Sequence, residues 1–591
     1  MFIRPIRHRL PSIYQCITTN LLFLYTLMLV LIPTLLLLSC DAYRHNSSDP
    51  DGRQGNATPA HVDKESPDLV IGIIVDQLRP DYIYRYWDQY GDDGFKRLVN
   101  DGFTFRNTWF RYLQTSTGPG HAAQYTGTTP AIHGLLGNHW YDRESHSHPN
   151  VIVDVGSGHH GVGSLPDAHA EKSPAKMLTT TVGDELFLHT NERSKTIGIS
   201  RKDRGAILPA GHAGDAYWYE AETGNFVTSS YYRDELPNWL QSFNDRNLAQ
   251  EYLTRVWDTM YPIEEYTGSR DDNNPYEGWY PGMDSPTFPI NLPELVSDHG
   301  HDPGLLSRTP FGDKLLIDLA IATMEGEELG RRGFPDILAL SLSATDAIGH
   351  RFGPASKQMH DNLLWLDQYL ARLLDYLDEE YESENVLIFL TSDHGAVHIP
   401  HYLRELRIIT GNPDTEANIN SGIRDAIYEY MNEQYGGEFL LSMSNQNLYL
   451  DHDFISRNNL NLTEVRTDLK RFMLTLDPVS GALTADALNN TQFTSGIRKR
   501  AQHVFHQKRS GDVIFWLVPQ TRGNTGSGGT GHGTPWSYDT HAPLIFYGDG
   551  VPAGESMDRV YVSDIASTIA VFLNSPFPSG NIGNPFNDRM R

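Results

Sequence analysis

Three strand-length apolar runs, each leading into an aspartate, restrict this chain more than any other feature. Residues 68–75 read Asp-Leu-Val-Ile-Gly-Ile-Ile-Val and end in Asp76. Residues 336–343, Asp-Ile-Leu-Ala-Leu-Ser-Leu-Ser, lead to Asp346, and residues 386–390, Val-Leu-Ile-Phe-Leu, lead through Thr391 and Ser392 to Asp393. A strand that is apolar throughout, rather than at every second position, is buried on both faces, as in a parallel sheet covered by helices. After the second run, Met359, Leu363, Leu366, Leu370, Leu373 and Leu377 recur at three- and four-residue steps and predict an amphipathic helix. Further strands are predicted at 196–200 and 544–547, with helices over 80–100 and 563–573. The fold class is therefore α/β. Such sheets bind ligands beyond the carboxyl ends of their strands, where the three aspartates fall.

The N-terminus reads as a targeting segment rather than as fold. Arg4, Arg7 and Arg9 precede an almost unbroken apolar run over 21–38, interrupted by Pro33 and closed by Leu37-Leu38-Ser39-Cys40. The small residue before Cys40 predicts a bacterial lipoprotein signal peptide over 1–39, with Cys40 lipidated; an uncleaved signal anchor is the alternative. Residues 40–65 read as a flexible tether. The only two cysteines are Cys16 and Cys40, so the globular part has no internal disulfide. The protein is expected to be an exported, membrane-anchored lipoprotein of the periplasm, and a monomer. A net charge of −27 argues against a nucleic-acid partner, while carboxylates are what hard and borderline cations require.

The candidate nucleophile lies in Gln114-Thr115-Ser116-Thr117-Gly118-Pro119-Gly120-His121. A Thr before a Gly-Pro-Gly turn and a small-residue segment sits at a helix N-terminus, among unpaired amides and the positive end of the helix dipole. An anion docked there could be attacked by Thr117. Taken alone, the segment is equally an ordinary cap in a loop.

Two stretches break the α/β pattern. Residues 213–310 are rich in Tyr, Trp, Pro and Asp and suggest an inserted cap; residues 400–535 form a second insertion that ends in a Gly-rich loop over 523–533. The histidines His146, His148, His159 and His160 are read as solvated loop residues. Beyond these lies a mixture of carboxylate and imidazole at strand ends: Asp76, Asp346 with His350, Asp393 with His394, and His541 flanking the 544–547 strand. Any one of these could be a cap or a turn. Gathered at one sheet edge, they suit two Zn²⁺ ions better than any thiolate site.

In this order, Asp76-Gln77, Thr117-Gly118-Pro119-Gly120-His121, Gly137-Asn138, Lys202-Asp203-Arg204, Asp346-x-x-x-His350, Asp393-His394-Gly395 and Thr540-His541 resemble the alkaline phosphatase superfamily. Within it, the resemblance is to the phosphate-irrepressible, Thr-nucleophile bacterial alkaline phosphatases, relatives of the type I phosphodiesterase/nucleotide pyrophosphatase group. It runs from about residue 66 to the C-terminus and implies a doubly wound α/β/α sandwich with inserted cap segments. It implies two Zn²⁺, one held by Asp346, His350 and His541, the other by Asp76, Asp393, His394 and the Thr117 oxygen. Phosphate monoesters are the implied substrates. Asn138, Lys202 and Arg204 would bind their non-bridging oxygens, Lys202 and Arg204 pointing to one side of an extended segment. Rival readings are a phosphodiesterase or nucleotide pyrophosphatase on the same core, a sulfatase, disfavoured because no Cys follows position 40, and a non-catalytic binding lipoprotein.

Overall fold

The computed structural model describes residues 66–165, 171–298, 302–382, 385–408, 419–521 and 529–590. The signal, Cys40 and the tether lie outside them. At the centre is a ten-stranded sheet. In chain order its strands are β1 (Leu69–Val75), β2 (Phe103–Phe105), β3 (Gly161–Val162), β4 (Thr196–Ser200), β5 (Asp215–Glu220), β6 (Asn225–Ser229), β7 (Asp336–Leu342), β8 (Val386–Thr391), β9 (Leu544–Gly548) and β10 (Gly554–Ser556). Their spatial order is β10-β2-β9-β8-β1-β7-β4-β5-β6-β3. From β8 to β5 all neighbours are parallel, and β9 joins β8 antiparallel.

Every residue of β1, β7 and β8 is buried, as the unbroken apolar runs predict. Successive side chains serve opposite layers. Leu69, Ile71, Ile73 and Val75 enter one apolar core, and Val70 and Ile74 enter the other. The first layer is built largely from α4 (Pro310–Glu327) and α6 (Lys357–Glu380), and the second from α1 (Thr117–Thr126), α2 (Val182–His189) and α7 (Asp564–Phe572). Two shorter helices complete the frame of the site, α3 (Asp203–Ala210) and α5 (Ala344–Phe352). The six apolar positions predicted along α6 are all buried.

Two expectations need correction. The segment 80–100 is not one helix. It breaks into Pro80–Arg85, a 3-10 turn and Phe95–Asp101, and Asp367 caps the interruption by accepting the Gly91 and Phe95 amides at 2.8 and 2.7 Å. The first insertion starts later than residue 213, because β5 and β6 extend the central sheet. Its stretch over 257–266 is pinned to α6 by Asp361, which accepts Trp257 Nε1 at 2.7 Å, the Met260 amide at 2.8 Å and the Tyr266 hydroxyl. Within 400–535, residues 440–444, 447–450, 513–517 and 479–484 form a separate four-stranded antiparallel sheet with its own apolar core. Among the described residues, no helix is long and apolar enough to cross a membrane.

Candidate active site

Strand register assembles the site. Val75 pairs with Leu342 and Ile74 with Thr391, so β1, β7 and β8 end level, and the residues after them emerge together. Ser200 pairs with Ser341, which brings Lys202 to the same edge. Asp76, Asp346, Asp393 and His394 are all buried there. Gln77, held at φ 65°, ties them together: its amide donates to Asp393 Oδ1 at 3.1 Å and its side chain to Asp346 Oδ1 at 2.8 Å.

Thr117 is the first residue of α1 and is buried. The helix runs hard against the turn after β8. A Cβ on Gly120 would lie 2.4 Å from the Asp393 carbonyl oxygen and 2.7 Å from its Cβ, so only glycine permits this approach. Asn138 Oδ1 accepts the Gly118 amide at 2.8 Å, which points its NH₂ group away from that bond. Lys202 Nζ lies between the acidic groups, bonded to Asp76 Oδ2, to Asp346 Oδ2 at 2.6 Å and to Thr117 Oγ1 at 3.3 Å.

The carboxylates and imidazoles form two groups that could each hold a cation. In the first, Asp76, Asp393 and His394 converge with all three side chains buried. Asp76 Oδ1, Asp393 Oδ2 and His394 Nε2 have no hydrogen-bond partner in the protein. Three orphaned ligand-type atoms in one buried cluster fit a divalent cation. The second group is Asp346, His350 and His532: Asp346 Oδ1 is 3.0 Å from His350 Nε2 and 4.0 Å from His532 Nε2. All three imidazoles are fixed the same way, through Nδ1 on a backbone carbonyl: His350 on Thr530 at 2.9 Å, His394 on Gly395 at 3.0 Å and His532 on Thr115 at 2.9 Å. Such a bond leaves Nε2 as the ligating nitrogen.

The local charges polarise the carboxylates. Burial, then the neighbouring Asp76 charge, pushes Asp393 well above the usual carboxylate range. Burial acts the same way on Asp346, but His350 and Lys202 overcome it and hold that carboxyl well below the range. At Asp76, burial and Asp346 are opposed by Lys202 and His394, which lower it. Burial lowers His394 and, with the neighbouring His394 and His350, holds His532 well below the usual imidazole range.

His541, read as a ligand from the sequence, is not in either group. Residues 541–542 pair with 108–109 in a separate small sheet, which turns the imidazole outward to stack on Trp109 with Nε2 on the Arg106 carbonyl at 3.0 Å. His532 stands in its place. It lies in Gly531-His532-Gly533, inside the stretch read only as a Gly-rich loop; the signal that marks it is the same His-Gly step seen at His394-Gly395. Lys202 and Arg204 do not share an extended segment either. Lys202 is the residue just before α3 and Arg204 lies in its first turn, its guanidinium 4.0 Å from Asp203, while its charge acts on His121 and His139. His146 and His148 bond to Tyr141 and Ser442, and neither they nor His159 and His160 belong to a cation-type group among the described residues.

The fold and these paired groups define a mixed α/β protein with a two-cation type of centre around a helix-terminal threonine. A model of the type I phosphodiesterase/nucleotide pyrophosphatase family matches residues 70–541. The chain is 38% identical over 531 residues to a protein described as a calcium-transporting ATPase from Myroides odoratus, covering 89% of this chain and 95% of that one. It is 35% identical over 526 residues to alkaline phosphatase PafA from Elizabethkingia meningoseptica, covering 88% and 94%. The crystal structure of wild-type PafA superposes with a TM-score of 0.83 at 35% identity, covering 91% of this chain and 100% of that one. The chain belongs to the alkaline phosphatase superfamily, among the PafA- and PhoV-type alkaline phosphatases, and is a hydrolase of that type.

Proposed function

We propose that the enzyme is a zinc-dependent phosphate monoester hydrolase that works through a phospho-threonine at Thr117. The observation that carries this reading is the position of the Thr117 hydroxyl: buried at the start of α1, 3.3 Å from the Lys202 ammonium, beside two carboxylate–imidazole groups. Asp76, Asp393 and His394, with the Thr117 oxygen, would hold one zinc, and Asp346, His350 and His532 the other. When bound, zinc supplies Lewis acidity and positive charge for the oxygens of the reaction centre.

The protein's own residues do the rest. Thr117 gives up its hydroxyl proton and forms the Oγ–P bond as the bond to the leaving alkoxide breaks and the alkoxide takes up a proton; water then attacks phosphorus, the P–Oγ bond breaks, and phosphate leaves as the Thr117 hydroxyl is restored. The NH₂ of Asn138, aimed by its bond to Gly118, donates to a non-bridging oxygen. Lys202 matches the second negative charge that a monoester has and a diester lacks. Export and tethering through lipidated Cys40 are part of the same proposal.

The test is kcat/KM for p-nitrophenyl phosphate and for bis-p-nitrophenyl phosphate, before and after chelation and with zinc restored. A zinc-dependent monoester preference of several orders of magnitude supports the reading. A diester preference moves the enzyme to the phosphodiesterase/nucleotide pyrophosphatase reading.

A further inference from the structure

The segment 529–539 does more than supply His532. The Thr530 amide donates to the Gly349 carbonyl at 3.1 Å, and the Thr530 carbonyl receives His350 Nδ1, so the segment grips the helix that carries Asp346 and His350. The Val397 amide donates to the Gly531 carbonyl at 3.2 Å, which ties it to the stretch after His394. Asp539 closes this strap. It is fully buried, and its Oδ2 accepts the Thr534 amide at 2.8 Å and the Thr534 hydroxyl at 2.6 Å. Its backbone carbonyl accepts the Gly395 amide at 3.0 Å. The turn and the strap approach so closely that a Cβ on Gly395 would lie 2.1 Å from the Tyr538 carbonyl oxygen. The side chain of Asp539 therefore holds the loop bearing His532, while its backbone holds the turn bearing His394. Between them the two imidazoles stack at 3.6 Å and 11°.

We infer that Asp539 is a positioning residue that sets His532 against His394 and so holds the two cation-type groups in one arrangement. It belongs to neither cation-type group. A buried carboxylate with two donors on one oxygen fixes a loop far more firmly than the loop's own glycines can. The inference rests on the reading of both groups as zinc sites.

Asp539→Ala, Thr534→Val and Thr534→Ser in the full chain test it. Zinc affinity is measured by competition with a chromogenic chelator, beside kcat and KM for p-nitrophenyl phosphate. Asp539→Ala is expected to lose about 10- to 100-fold in zinc affinity. Its kcat should fall more than its KM rises, and excess zinc should restore part of the turnover. Thr534→Val should share the loss, and Thr534→Ser should keep wild-type values. An Asp539→Ala protein that folds and retains wild-type zinc affinity overturns the inference. If that variant does not fold, equal affinities in Thr534→Val and Thr534→Ser overturn it. A wild-type chain that takes up no zinc overturns the two-zinc reading instead, which is a separate result.

Discussion

Thr117 and Lys202 carry different burdens, and single substitutions separate them. Removing the Thr117 hydroxyl removes the proposed nucleophile but leaves Asp76, Asp393 and His394 in place. Thr117→Ala should therefore retain most bound zinc while losing about 10³-fold or more in kcat; turnover close to wild type would remove Thr117 from the mechanism. Lys202→Ala combined with Arg204→Ala should lower kcat/KM for monoesters far more than for diesters, by about 10²-fold or more. Equal losses on both substrates would show that the cations serve the shared core and not the extra monoester charge. The two histidines of the C-terminal region give the sharpest contrast. His532→Ala should weaken zinc retention beyond the ~10- to 100-fold typical of an outer-shell change. His541→Ala should leave it unchanged, because that ring is committed to Trp109 and the Arg106 carbonyl. The reverse pattern, read by zinc per chain after dialysis, would restore the assignment made from sequence.

At the scale of the element, the site depends on how closely α1 can lie against the turn after β8. The helix brings Thr117 to the strand ends only because Gly120 presents no side chain to Asp393. Gly120→Ala would have to move either the helix or the aspartate by several tenths of an ångström. Such overpacking should cost about 1–3 kcal/mol, together with a fall in kcat. Urea unfolding of the chelated protein reads the first effect apart from any loss of zinc, and an unchanged midpoint would show that the backbone yields there at no cost. A second element-scale dependence is at α5. Asp313 accepts the Ser343 and Ala344 amides at 3.0 Å each, and so fixes the start of the helix that bears Asp346 and His350.

At the scale of the whole molecule, buried neutral histidines set a limit on acid stability. Burial lowers His133 and His360 from 6.5 to about 3, with nearby cationic groups adding to the effect. The unfolded chain takes up these protons near pH 6.5 and the folded chain does not. The stability these two groups contribute is therefore complete above pH 6.5 and is lost progressively as the pH falls towards 3. The urea midpoint should drop between pH 7 and pH 5 in the chelated protein, and His133→Gln should flatten that slope; an unchanged slope would place the acid sensitivity elsewhere. Much of this architecture was legible in the chain itself. Runs of buried apolar residues and the period of α6 arise from local chemistry, and so do Asp76, Asp346, His350, Asp393 and His394, because level parallel strands must deliver their C-terminal residues to one edge. The helix-terminal place of Thr117 was equally readable, since the Gly-Pro-Gly step is itself the local cause. The third histidine was not. Both His532 and His541 lie near a strand that runs antiparallel to its neighbour, and the His-Gly step at 532–533 does not by itself decide which imidazole turns inward. That choice was made by long-range pairing: residues 541–542 take residues 108–109 as partners, and the strap around Asp539 carries His532 to Asp346. Apolar period and strand-end chemistry belong to the sequence, whereas the orientation of a side chain in an irregular loop is fixed only when distant backbone closes on it.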